Sequence, residues 1–431
     1  MASAVATRAE HATAHASDLA GVTRAVFREL FGPAEERGFA VRLWDGSVDG
    51  SGDAARFTLV LRRPEVARRM LLPPSELAIG EAYLRDDFDI EGDIEAATAL
   101  ADHIAVALRS PVRAARLLRL LLKLPAGDDE LGIARDTPRL LGRRHTRRRD
   151  RAAVRSHYDV GNDFYALWLD RRMVYSCAYF PTGAEDLDAA QEAKLDHICR
   201  KLRLQPGQRL LDVGCGWGGL VVHAAGRYGA RALGITLSEP QARLANERIA
   251  AAGLANRCRV EVRDYRELAR DERFDKIASV GMIEHVGKAR LGTYFAERPR
   301  LLEPGGLFLN HGIASLSGHK QKPSLLNRLV FRPNSFMQRY VFPDGELTDI
   351  HATLQAAEAS GFEVRDVEAL REHYALTLRH WVRRLEDNHE RALQYVDEPT
   401  YRVWRIYMAA SSYNFAASHI SVYQALLSKN E

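Results

Sequence analysis

A glycine-rich turn after an apolar strand is the sequence feature most suited to chemistry. The stretch Leu210–Val213 predicts a buried strand and leads into four glycines: Gly214, Gly216, Gly218 and Gly219. Glycines at a strand end allow a tight turn and the close approach of a ligand to the backbone. Asp212 directly precedes the turn and is placed to hold a ligand's ammonium group. The turn alone also fits a dinucleotide-binding domain.

The strands after this turn narrow the choice of ligand. Arg231–Thr236 predicts a second strand whose last residue would face a ribose. Cys258–Tyr265 predicts a third strand, in which the pair Asp264 and Tyr265 would clasp an adenine. A fourth and a fifth strand are predicted at Phe274–Val280 and Leu302–Asn310. This ordered set is typical of S-adenosylmethionine methyltransferases, and a generic nucleotide-binding α/β domain is the alternative. Thr236 departs from the general pattern, because a ribose diol normally pairs with a carboxylate.

Longer motifs occur in this order: His157–Phe164, Met173–Phe180, Leu211–Gly219, Gly234–Ser238, Arg263–Arg266, Met282–Gly287, His311–Ser315 and Tyr340–Gly345. Together they resemble the cyclopropane-fatty-acyl-phospholipid synthases and their relatives that act on mycolic acids or form methyl branches. The resemblance covers residues 150–431, and threonine is what this family carries at position 236. Residues 1–125 match less sharply, but they resemble the N-terminal lipid-binding region of the members that act on phospholipids.

The resemblance implies roles for individual residues. Seven residues fall where the family contacts S-adenosylmethionine: Tyr175, Ser176, Gly214, Gly216, Thr236, Gln241 and Tyr265. Five residues fall where the family holds a bicarbonate ion: Cys177, Glu284, His311, Ile313 and Tyr374. Cys177 would contribute mainly through its backbone, so no thiolate nucleophile is expected. No metal site is expected either.

The chemistry of such an enzyme explains why this site is needed. An alkene is a poor nucleophile, and once it has attacked the sulfonium methyl group it becomes a carbocation. A small buried base must then remove a proton, and water must be excluded or the cation becomes an alcohol. Bound bicarbonate would be that base. His311 and Tyr374 would donate hydrogen bonds to it, and Glu284 would orient it or relay the proton.

Each candidate residue also has a purely structural explanation. Glu284 could begin a helix, His311 could be a hydrogen-bonded core histidine, and Cys177 could be a small buried hydrophobe. Aromatic side chains are abundant between residues 158 and 180, and most of them are expected in the core.

Three functions remain open from the sequence. The first is methylation of an acyl double bond in a membrane phospholipid, giving a cyclopropane chain. The second is the same methylation giving an exocyclic methylene, the precursor of mid-chain methyl-branched acids such as tuberculostearate, which requires a reductase as partner. The third, from another class, is a lipid-binding protein without catalytic activity. The intact glycine turn, Glu284 and His311 argue against the third.

The elements that position these residues follow from the hydrophobic pattern. Strand–helix alternation from Ser156 onward predicts a Rossmann-like α/β domain with a seven-stranded, mostly parallel sheet. A smaller α+β domain is predicted before it, with Ala40–Trp44 and Ala55–Leu61 as a strand pair joined by a turn. The predicted organisation is a disordered start at 1–22, a lipid-engaging domain at 23–125, an arginine-rich linker at 126–155 and a catalytic domain at 156–431.

Two basic segments suggest contact with a membrane surface. Pro111–Leu124 predicts an amphipathic helix with Arg113, Arg116, Arg119 and Lys123 gathered on one side. Nine arginines lie between Arg135 and Arg155, and such a run can bind an anionic phospholipid surface. The alternatives are a core helix with a solvated basic edge and a plain solvated linker. A nucleic-acid partner is not expected, because the proline-aromatic tetrapeptide of amino-methylating enzymes is missing.

Composition sets the outer limits of these hypotheses. The chain has 431 residues and a net charge of +4, which favours two domains and says little about partners. Four cysteines in a chain of this length do not form a disulfide framework, which favours a reducing compartment. No stretch is predicted to span a membrane, and the N-terminal residues do not resemble a secretory signal. We therefore expect a cytoplasmic protein, peripheral at the inner face of the membrane, and a homo-oligomer is compatible with the sequence.

Overall fold

The computed structural model describes residues 18–50, 54–127, 146–147, 149–152, 160–269, 271–316 and 336–429. The chain divides into two compact units, each assembled from separate stretches of sequence. The first unit comprises Met1–Asp136, Lys322–Arg339 and Glu398–Tyr413, and the second comprises Thr137–Gln321, Tyr340–Asp397 and Asn414–Glu431. The sequence placed residues 398–413 in the catalytic domain, whereas the structure groups them with the N-terminal stretch.

A four-stranded mixed sheet forms the centre of the first unit. Its strands are β1 (Ala40–Arg42), β2 (Val48–Asp49), β3 (Phe57–Leu61) and β4 (Phe88–Gly92), in the order β2-β1-β3-β4. The helices that precede the arginine-rich run are α1 (18–31), α2 (Val66–Leu71), α3 (Glu76–Leu84), α4 (Ile94–Thr98), α5 (Leu100–Ala107) and α6 (Pro111–Leu121). This mixture confirms the prediction of a smaller α+β domain before the catalytic one.

The predicted strand pair, β1 and β3, is present, but its two strands are not joined by a simple turn. The two strands do pair, but they run parallel, with Val41 opposite Leu59. After β1 the chain turns back at Gly46 and forms β2, which pairs antiparallel with β1 on its other side. The short β2 lies within the stretch that the sequence assigned to the turn. A two-residue strand gives too little periodicity to be recognised from sequence.

The first helix corrects the predicted disordered start. Residues 1–17 lie outside the described part of the chain, but residues 18–22 belong to α1. Ala20, Thr23, Phe27 and Leu30 are buried, at the three- and four-residue spacing of one helix face. Ala20 begins this buried face, so the helix extends into the alanine-rich start.

Helix α6 bears out the amphipathic pattern. Ser110 caps its first turn, because the side-chain oxygen accepts a hydrogen bond from the backbone N–H of Arg113. Leu117 and Leu121 are buried within the first unit, whereas 44% of Leu118 and 56% of Leu122 are exposed. The basic residues on this helix are also exposed: Arg113, Arg116, Arg119 and, just beyond its end, Lys123. The helix therefore presents both charge and apolar surface to solvent.

The second unit contains the predicted Rossmann-like sheet. Its strands are β5 (Arg209–Val213), β6 (Arg231–Thr236), β7 (Cys258–Val262), β8 (Phe274–Val280), β9 (Leu302–Ser315), β10 (Thr348–Asp349), β11 (Phe362–Ala369) and β12 (Ile420–Lys429). The order is β11-β12-β9-β8-β5-β6-β7, with β10 paired to β9 outside this path. Strands β5 to β9 run parallel to one another, and β12 runs antiparallel to both β9 and β11. The seven-stranded, mostly parallel sheet is thus confirmed.

Helices of the second unit pack on this sheet around two hydrophobic cores. The helices that follow the arginine-rich run are α7 (Asn162–Ala166), α8 (Leu187–Lys201), α9 (Gly219–Arg227), α10 (Glu239–Ala251), α11 (Ile283–Val286), α12 (Leu291–Ala296), α13 (Phe336–Tyr340), α14 (Ile350–Glu358), α15 (Arg371–Asp387), α16 (His389–Ala392) and α17 (Glu398–Ala416). Most of α13 and α17 belongs to the first unit, and the others belong to the second. The chain reverses direction across the sheet between β5 and β8, and such a reversal opens a crevice at the carboxyl ends of the strands. In the described ranges, no helix has the length and hydrophobicity needed to cross a membrane.

Part of the arginine-rich run is folded onto the second unit. Arg149 forms two hydrogen bonds with the carboxylate of Asp344, with N···O distances of 2.6 and 2.9 Å. Arg147 lies 3.6 Å from a carboxylate oxygen of Glu267. Arg135, Arg139, Arg143, Arg144, Arg148 and Arg155 lie outside the described residues. Arg149 at least has a structural partner, so it is not simply part of a solvated linker.

Candidate active site

The glycine turn after β5 forms the floor of a cavity at the carboxyl ends of the strands. Gly214 has a φ of +79°, a conformation that favours glycine. A Cβ atom on Gly214 would lie 2.5 Å from Cγ of Met282. The backbone N–H groups of Gly214 and Cys215 both donate to the carbonyl of Ile235, which fixes the turn against β6. Both the backbone and the space around it therefore require glycine at position 214.

Nine of the ten predicted cofactor residues line this cavity: Tyr175, Ser176, Asp212, Gly214, Gly216, Thr236, Gln241, Asp264 and Tyr265. The tenth, Gly218, does not line it. Gly218 instead shapes the turn. Its φ is +77°, and a Cβ atom added to it would lie 3.1 Å from Cβ of Ala245. The structure thus gathers residues from three strand ends and from the segment around Tyr175 into one place.

The second strand ends in a neutral hydrogen-bonded pair. The Thr236 hydroxyl donates to Oε1 of Gln241 at 2.8 Å, and the same hydroxyl accepts from the N–H of Ser238. Gln241 lies in the first turn of α10, which Ser238 caps. Both side chains are buried. This edge of the cavity is therefore polar but uncharged.

The third strand ends in an ion-pair chain that the sequence did not reveal. Arg266 donates to both carboxylate oxygens of Asp264, at 2.8 and 2.6 Å, and to Asp150 at 3.0 Å. Burial would raise the pKa of Asp264, but the hydrogen bonds from Arg266 hold it below its ordinary value. Asp150 and Arg266 line the cavity too. The carboxylate predicted to clasp an adenine is therefore already bound by an arginine.

A buried lysine also lines the cavity. Lys194 on α8 donates from Nζ to Oγ of Ser176 at 2.9 Å, and it lines the cavity together with Asp212. Burial raises the pKa of Asp212 to about 7, with the charge of Lys194 opposing the shift. Burial lowers the pKa of Lys194 to about 8. Sequence reasoning missed this residue, and a lysine within the buried face of an amphipathic helix was the available signal.

Glu284 and His311 follow or adjoin residues that line the cavity: His311 is buried, and Glu284 is partly buried with its Oε2 atom shielded from solvent. Glu284 follows Met282, which lines the cavity, and its Oε1 accepts the backbone N–H of Ile313 at 2.6 Å. Nδ1 of His311 lies 3.1 Å from Nε2 of Gln424 on the adjacent strand. Within the described part of the chain, neither Oε2 of Glu284 nor Nε2 of His311 has a hydrogen-bond partner. Unpartnered buried polar atoms are costly, and two together suggest a site for a ligand.

Burial shifts the pKa values of both groups. It raises the pKa of Glu284 to about 7, against the effect of the hydrogen bond from Ile313. It lowers the pKa of His311 to about 3, and the cations of Lys194 and Lys201 add to that effect. Near neutral pH the imidazole is therefore uncharged, and the carboxyl group is poised between its two protonation states. Carboxyl groups of this kind are typical of sites that transfer protons.

Cys177 and Tyr374 meet at one backbone carbonyl. The carbonyl of Leu370 accepts from Sγ of Cys177 at 3.7 Å and from the N–H of Tyr374 at 3.1 Å. The N–H of Leu370 donates to Val422, whose register partner is Ile313. This path connects Cys177 and Tyr374 to Ile313 and hence to Glu284. Four of the five predicted bicarbonate residues are linked by this path, and the fifth, His311, precedes Ile313 by two positions on β9. None of the five lines the cofactor cavity.

The alternative explanations hold for some of these groups. Burial raises the pKa of the Cys177 thiol far above its ordinary value, so this cysteine is not a thiolate. Phe164, Tyr165, Trp168 and Phe180 are core residues, as expected. Tyr158 lies outside the described residues. The four cysteines are free and buried: Cys177, Cys199, Cys215 and Cys258.

Comparison with known protein families identifies the catalytic unit. A model described as mycolic acid cyclopropane synthetase matches residues 145–425, which is well over half of the chain. The chain belongs to this family. A second model, described only as a domain of unknown function, matches residues 26–105 in the first unit. The family membership confirms the resemblance drawn from the motifs.

Curated relatives of this family are similar over most of the chain. A probable fatty acid methyltransferase of Pseudomonas putida is 40% identical over 90% of this chain and 91% of its own length. The tuberculostearic acid methyltransferase of Mycobacterium tuberculosis is 32% identical over 88% of this chain and 85% of its own. The cyclopropane-fatty-acyl-phospholipid synthase of Escherichia coli is 36% identical over 68% of this chain and 73% of its own. The family thus includes enzymes that methylate or cyclopropanate fatty acyl chains.

A solved structure supports the cofactor assignment. The mycolic acid cyclopropane synthase CmaA1, complexed with SAH and CTAB, superposes with a TM-score of 0.60 and 34% identity, over 65% of this chain and 98% of that one. SAH is the product that S-adenosylmethionine leaves after methyl transfer. The present protein is therefore an S-adenosylmethionine-dependent C-methyltransferase. Two features of its cavity fit that cofactor: the glycine turn, where a side chain on Gly214 would clash, and the carboxyl group of Asp212 in the cavity wall.

Proposed function

We propose that the protein methylates the double bond of an unsaturated acyl chain in a membrane phospholipid and closes it to a cyclopropane. One observation carries this proposal. Beside the cofactor cavity lie a carboxyl group and an imidazole, both buried, each with a polar atom that has no partner among the described residues. Transfer of a methyl group to oxygen or nitrogen needs no deprotonation after a carbocation has formed. Methylation of an alkene does need it, and this pair is suited to that step.

The bond changes define what the site must do. The π electrons of the alkene form a bond to the methyl carbon while the carbon–sulfur bond of S-adenosylmethionine breaks. The carbon that lost the π electrons becomes cationic. A proton then leaves the new methyl group, and its electron pair closes the three-membered ring. The site must therefore hold a base beside the methyl group and exclude water from the cation.

Glu284 and His311 fit the family's bicarbonate ion as hydrogen-bond donors. With a pKa of about 7, Glu284 can carry the proton needed to donate from Oε2. We infer that Gln424 donates to Nδ1 of the neutral His311, which leaves the proton on Nε2 and makes that atom a donor as well. Bound bicarbonate would supply a small base that accepts a proton without adding to the cation. Glu284 can then pass a proton onward, because its two protonation states are close in free energy.

For Ile313 we propose a role that acts through Glu284. Its backbone N–H is bonded to Glu284 and not free to bind an anion. This bond fixes the carboxyl group with Oε2 as its unpartnered oxygen. We propose that Ile313 orients Glu284, and that Tyr374 and the backbone of Cys177 complete the anion site from the opposite side.

The membrane partner is proposed from helix α6. A basic face with exposed leucines beside it can lie in a lipid interface, where the charges are attracted to anionic headgroups and the leucines insert. Leu118 and Leu122 supply the apolar part, and Arg116 and Arg119 supply the charge. Substrate acyl chains lie inside a bilayer, so the protein would act as a peripheral membrane enzyme.

An exocyclic methylene product is supported by how much of this chain each relative matches. The tuberculostearic acid methyltransferase matches 88% of this chain, against 68% for the cyclopropane synthase of Escherichia coli. In that alternative a hydride shift moves the cation to the methylated carbon. Loss of a proton from the methyl group then leaves an exocyclic methylene, which a reductase would convert into a methyl branch.

One assay tests these functions together. The purified protein is incubated with S-adenosylmethionine and vesicles of a monounsaturated anionic phospholipid, and the acyl chains are released as methyl esters. Mass spectrometry detects chains that are one methylene group heavier, and proton NMR separates a cyclopropane ring from a vinylidene group. A cyclopropane supports the first function and a vinylidene the second. Tight cofactor binding with no heavier chain from several unsaturated lipids would leave only a non-catalytic lipid-binding protein.

A further inference from the structure

Lys194 is a buried cation at the wall of the cofactor cavity. Only 2% of the residue is exposed, although it lies in the middle of α8, whose other inward side chains are mostly apolar. One turn earlier, Gln191 donates to the carbonyls of Val174 and Ser176. Helix α8 is thereby fixed to the segment that carries Tyr175 and Ser176, and the position of the ammonium group is well defined.

The ammonium group of Lys194 has unused hydrogen-bonding capacity. It carries three N–H donors, and one of them is bonded to Oγ of Ser176. In the ranges that the structure describes, no carboxylate forms a salt bridge with it, and the buried Asp170 acts on it through electrostatic attraction without direct contact. A buried cation without a direct anionic partner is unfavourable, and a ligand that supplies such a partner would stabilise it. Because Lys194 lines the cavity, the ligand in that cavity is the one able to do so.

Asp212 lies in the same cavity with the opposite charge. It too is buried, and the pKa values of the two groups are shifted toward their neutral forms by burial and back toward their charged forms by each other. The attraction acts without a direct ion pair, so the two charged groups are separated in space. A separated anion and cation in one cavity match a zwitterion that places an ammonium group against one and a carboxylate against the other.

We propose that Lys194 binds the α-carboxylate of the methionine part of S-adenosylmethionine, while Asp212 holds its α-ammonium group. The assignment requires that the cofactor lies in this cavity, and it does not depend on the acyl substrate. Ser176 would orient the ammonium group of Lys194 and is thereby a positioning residue. The cavity then selects ligands by the amino-acid end as well as by the nucleoside end.

The direct test compares two ligands that differ in one group. S-adenosylmethionine and its decarboxylated form, S-adenosyl-3-methylthiopropylamine, share the nucleoside, the sulfonium and the amine. We expect calorimetry on the parent protein to give about 30-fold or more weaker binding of the decarboxylated ligand, the scale of one charge-assisted hydrogen bond in a buried site. Equal affinity of the parent protein for both ligands would overturn the proposal without any variant.

Variants locate the effect on Lys194. Lys194→Met should weaken binding of S-adenosylmethionine by about 30-fold or more and remove most of the preference over the decarboxylated form. Lys194→Arg should retain part of that preference, because it retains the charge. Lys276→Met is the matched control, since Lys276 is also buried within the second unit but does not line the cavity. It should leave both affinities unchanged.

Two further outcomes are decisive. If Lys194→Met lowers the affinity for both ligands by the same factor, the lysine supports the fold and does not bind the carboxylate. If Lys194→Met leaves both affinities at the values of the parent, another group binds the carboxylate. Either result rejects the proposal, and circular dichroism of each variant verifies that it is folded. None of these measurements uses a lipid, so they are independent of the proposed acyl methylation.

Discussion

The cofactor cavity and the Glu284–His311 pair are both built on the large sheet of the second unit, but they differ in construction. At the ends of β6 and β7 the polar groups of the cavity have protein partners: Thr236 with Gln241, and Asp264 with Arg266. In the buried pair, one atom of each side chain has no partner in the described part of the chain. The cavity is a preformed surface for a large ligand, whereas the pair has unsatisfied groups poised for a small one.

This difference explains what the sequence could reveal. The cavity is formed mainly by residues directly after β5, β6 and β7, so the spacing of glycines and polar residues along the chain was sufficient to find it. The pair depends on β9 being adjacent to β12, whose Gln424 is 113 positions from His311 in sequence. Pattern and propensity do not determine such a distant pairing. Glu284, His311 and Tyr374 were found only through the family resemblance, and Gln424 was missed.

Buried polar residues and the first unit account for most of the remaining misses. Arg266 resembles an ordinary surface residue in sequence, and the signal for Lys194 is its place on the buried face of an amphipathic helix, where charged residues are rarely expected. In the first unit, β2 was too short to recognise, and the strand pair predicted to be joined by a turn is parallel, with β2 between its two members along the chain. The grouping of residues 398–413 with the N-terminal stretch is a long-range contact that no local pattern contains.

The largest effect should come from the cavity floor. Gly214→Val should abolish binding of S-adenosylmethionine, because Gly214 has a positive φ and the added Cβ would lie 2.5 Å from Cγ of Met282. Calorimetry measures the affinity. Gly292→Ala, in a helix and with no atom near its Cβ position, is the control and should bind normally. Unchanged affinity of Gly214→Val would mean that the cofactor binds elsewhere and that this cavity is not the cofactor site.

The buried pair should affect turnover and not cofactor binding. Glu284→Gln and His311→Ala are each expected to lower the rate of methyl transfer by a factor of about 10² or more, the usual scale for loss of a proton-transfer group. Affinity for S-adenosylmethionine should remain near that of the parent, because neither side chain lines the cavity. Near-normal turnover in both variants would show that the pair is structural.

The next effect concerns binding of helix α6 to a membrane surface, separately from catalysis. Replacing Arg116 and Arg119 with Gln should weaken binding to anionic vesicles by about 30-fold at low salt, from about 1 kcal/mol per basic residue near the surface. Raising the salt concentration should weaken binding of the parent protein as well, because surface attraction is screened. Co-sedimentation measures binding. Arg231 and Arg257, both exposed on the second unit, provide a control with the same change in charge. Equal binding of both double variants and the parent would reject α6 as the docking surface.

The arginine-rich run needs a different substitution from the one that the sequence alone would favour. Arg149 is bonded to Asp344, and the neighbouring Asp150 lines the cofactor cavity. A variant that replaces Arg147 and Arg149 together with other arginines could lose activity for two reasons: weaker binding to vesicles and a less stable second unit. Arg149→Gln alone should leave vesicle binding unchanged and lower the melting temperature, since it leaves a largely buried carboxylate without its partner. Thermal unfolding and co-sedimentation of this single variant measure the two effects.

The smallest effect concerns stability against pH. A raised pKa means that the folded state holds the Glu284 proton more tightly than the unfolded chain does. Its stabilising contribution is therefore present below about pH 4.5 and lost as the pH rises through about 7. Between pH 6 and pH 8 the free energy of unfolding of the parent should fall by about 1 kcal/mol more than that of Glu284→Gln. Identical pH profiles in urea unfolding would mean that Glu284 has an ordinary pKa.

The central claim is that the buried pair serves methylation of an acyl double bond, and the fatty acids of a living cell test it most directly. The protein is expressed in a bacterium that makes unsaturated phospholipids and lacks its own cyclopropane synthase, and the fatty acid methyl esters are analysed by mass spectrometry. We predict that unsaturated chains are partly replaced by chains one methylene group heavier with the parent protein, and not with Glu284→Gln or Gly214→Val. Unaltered fatty acids in cells that contain folded parent protein able to bind S-adenosylmethionine would contradict the account.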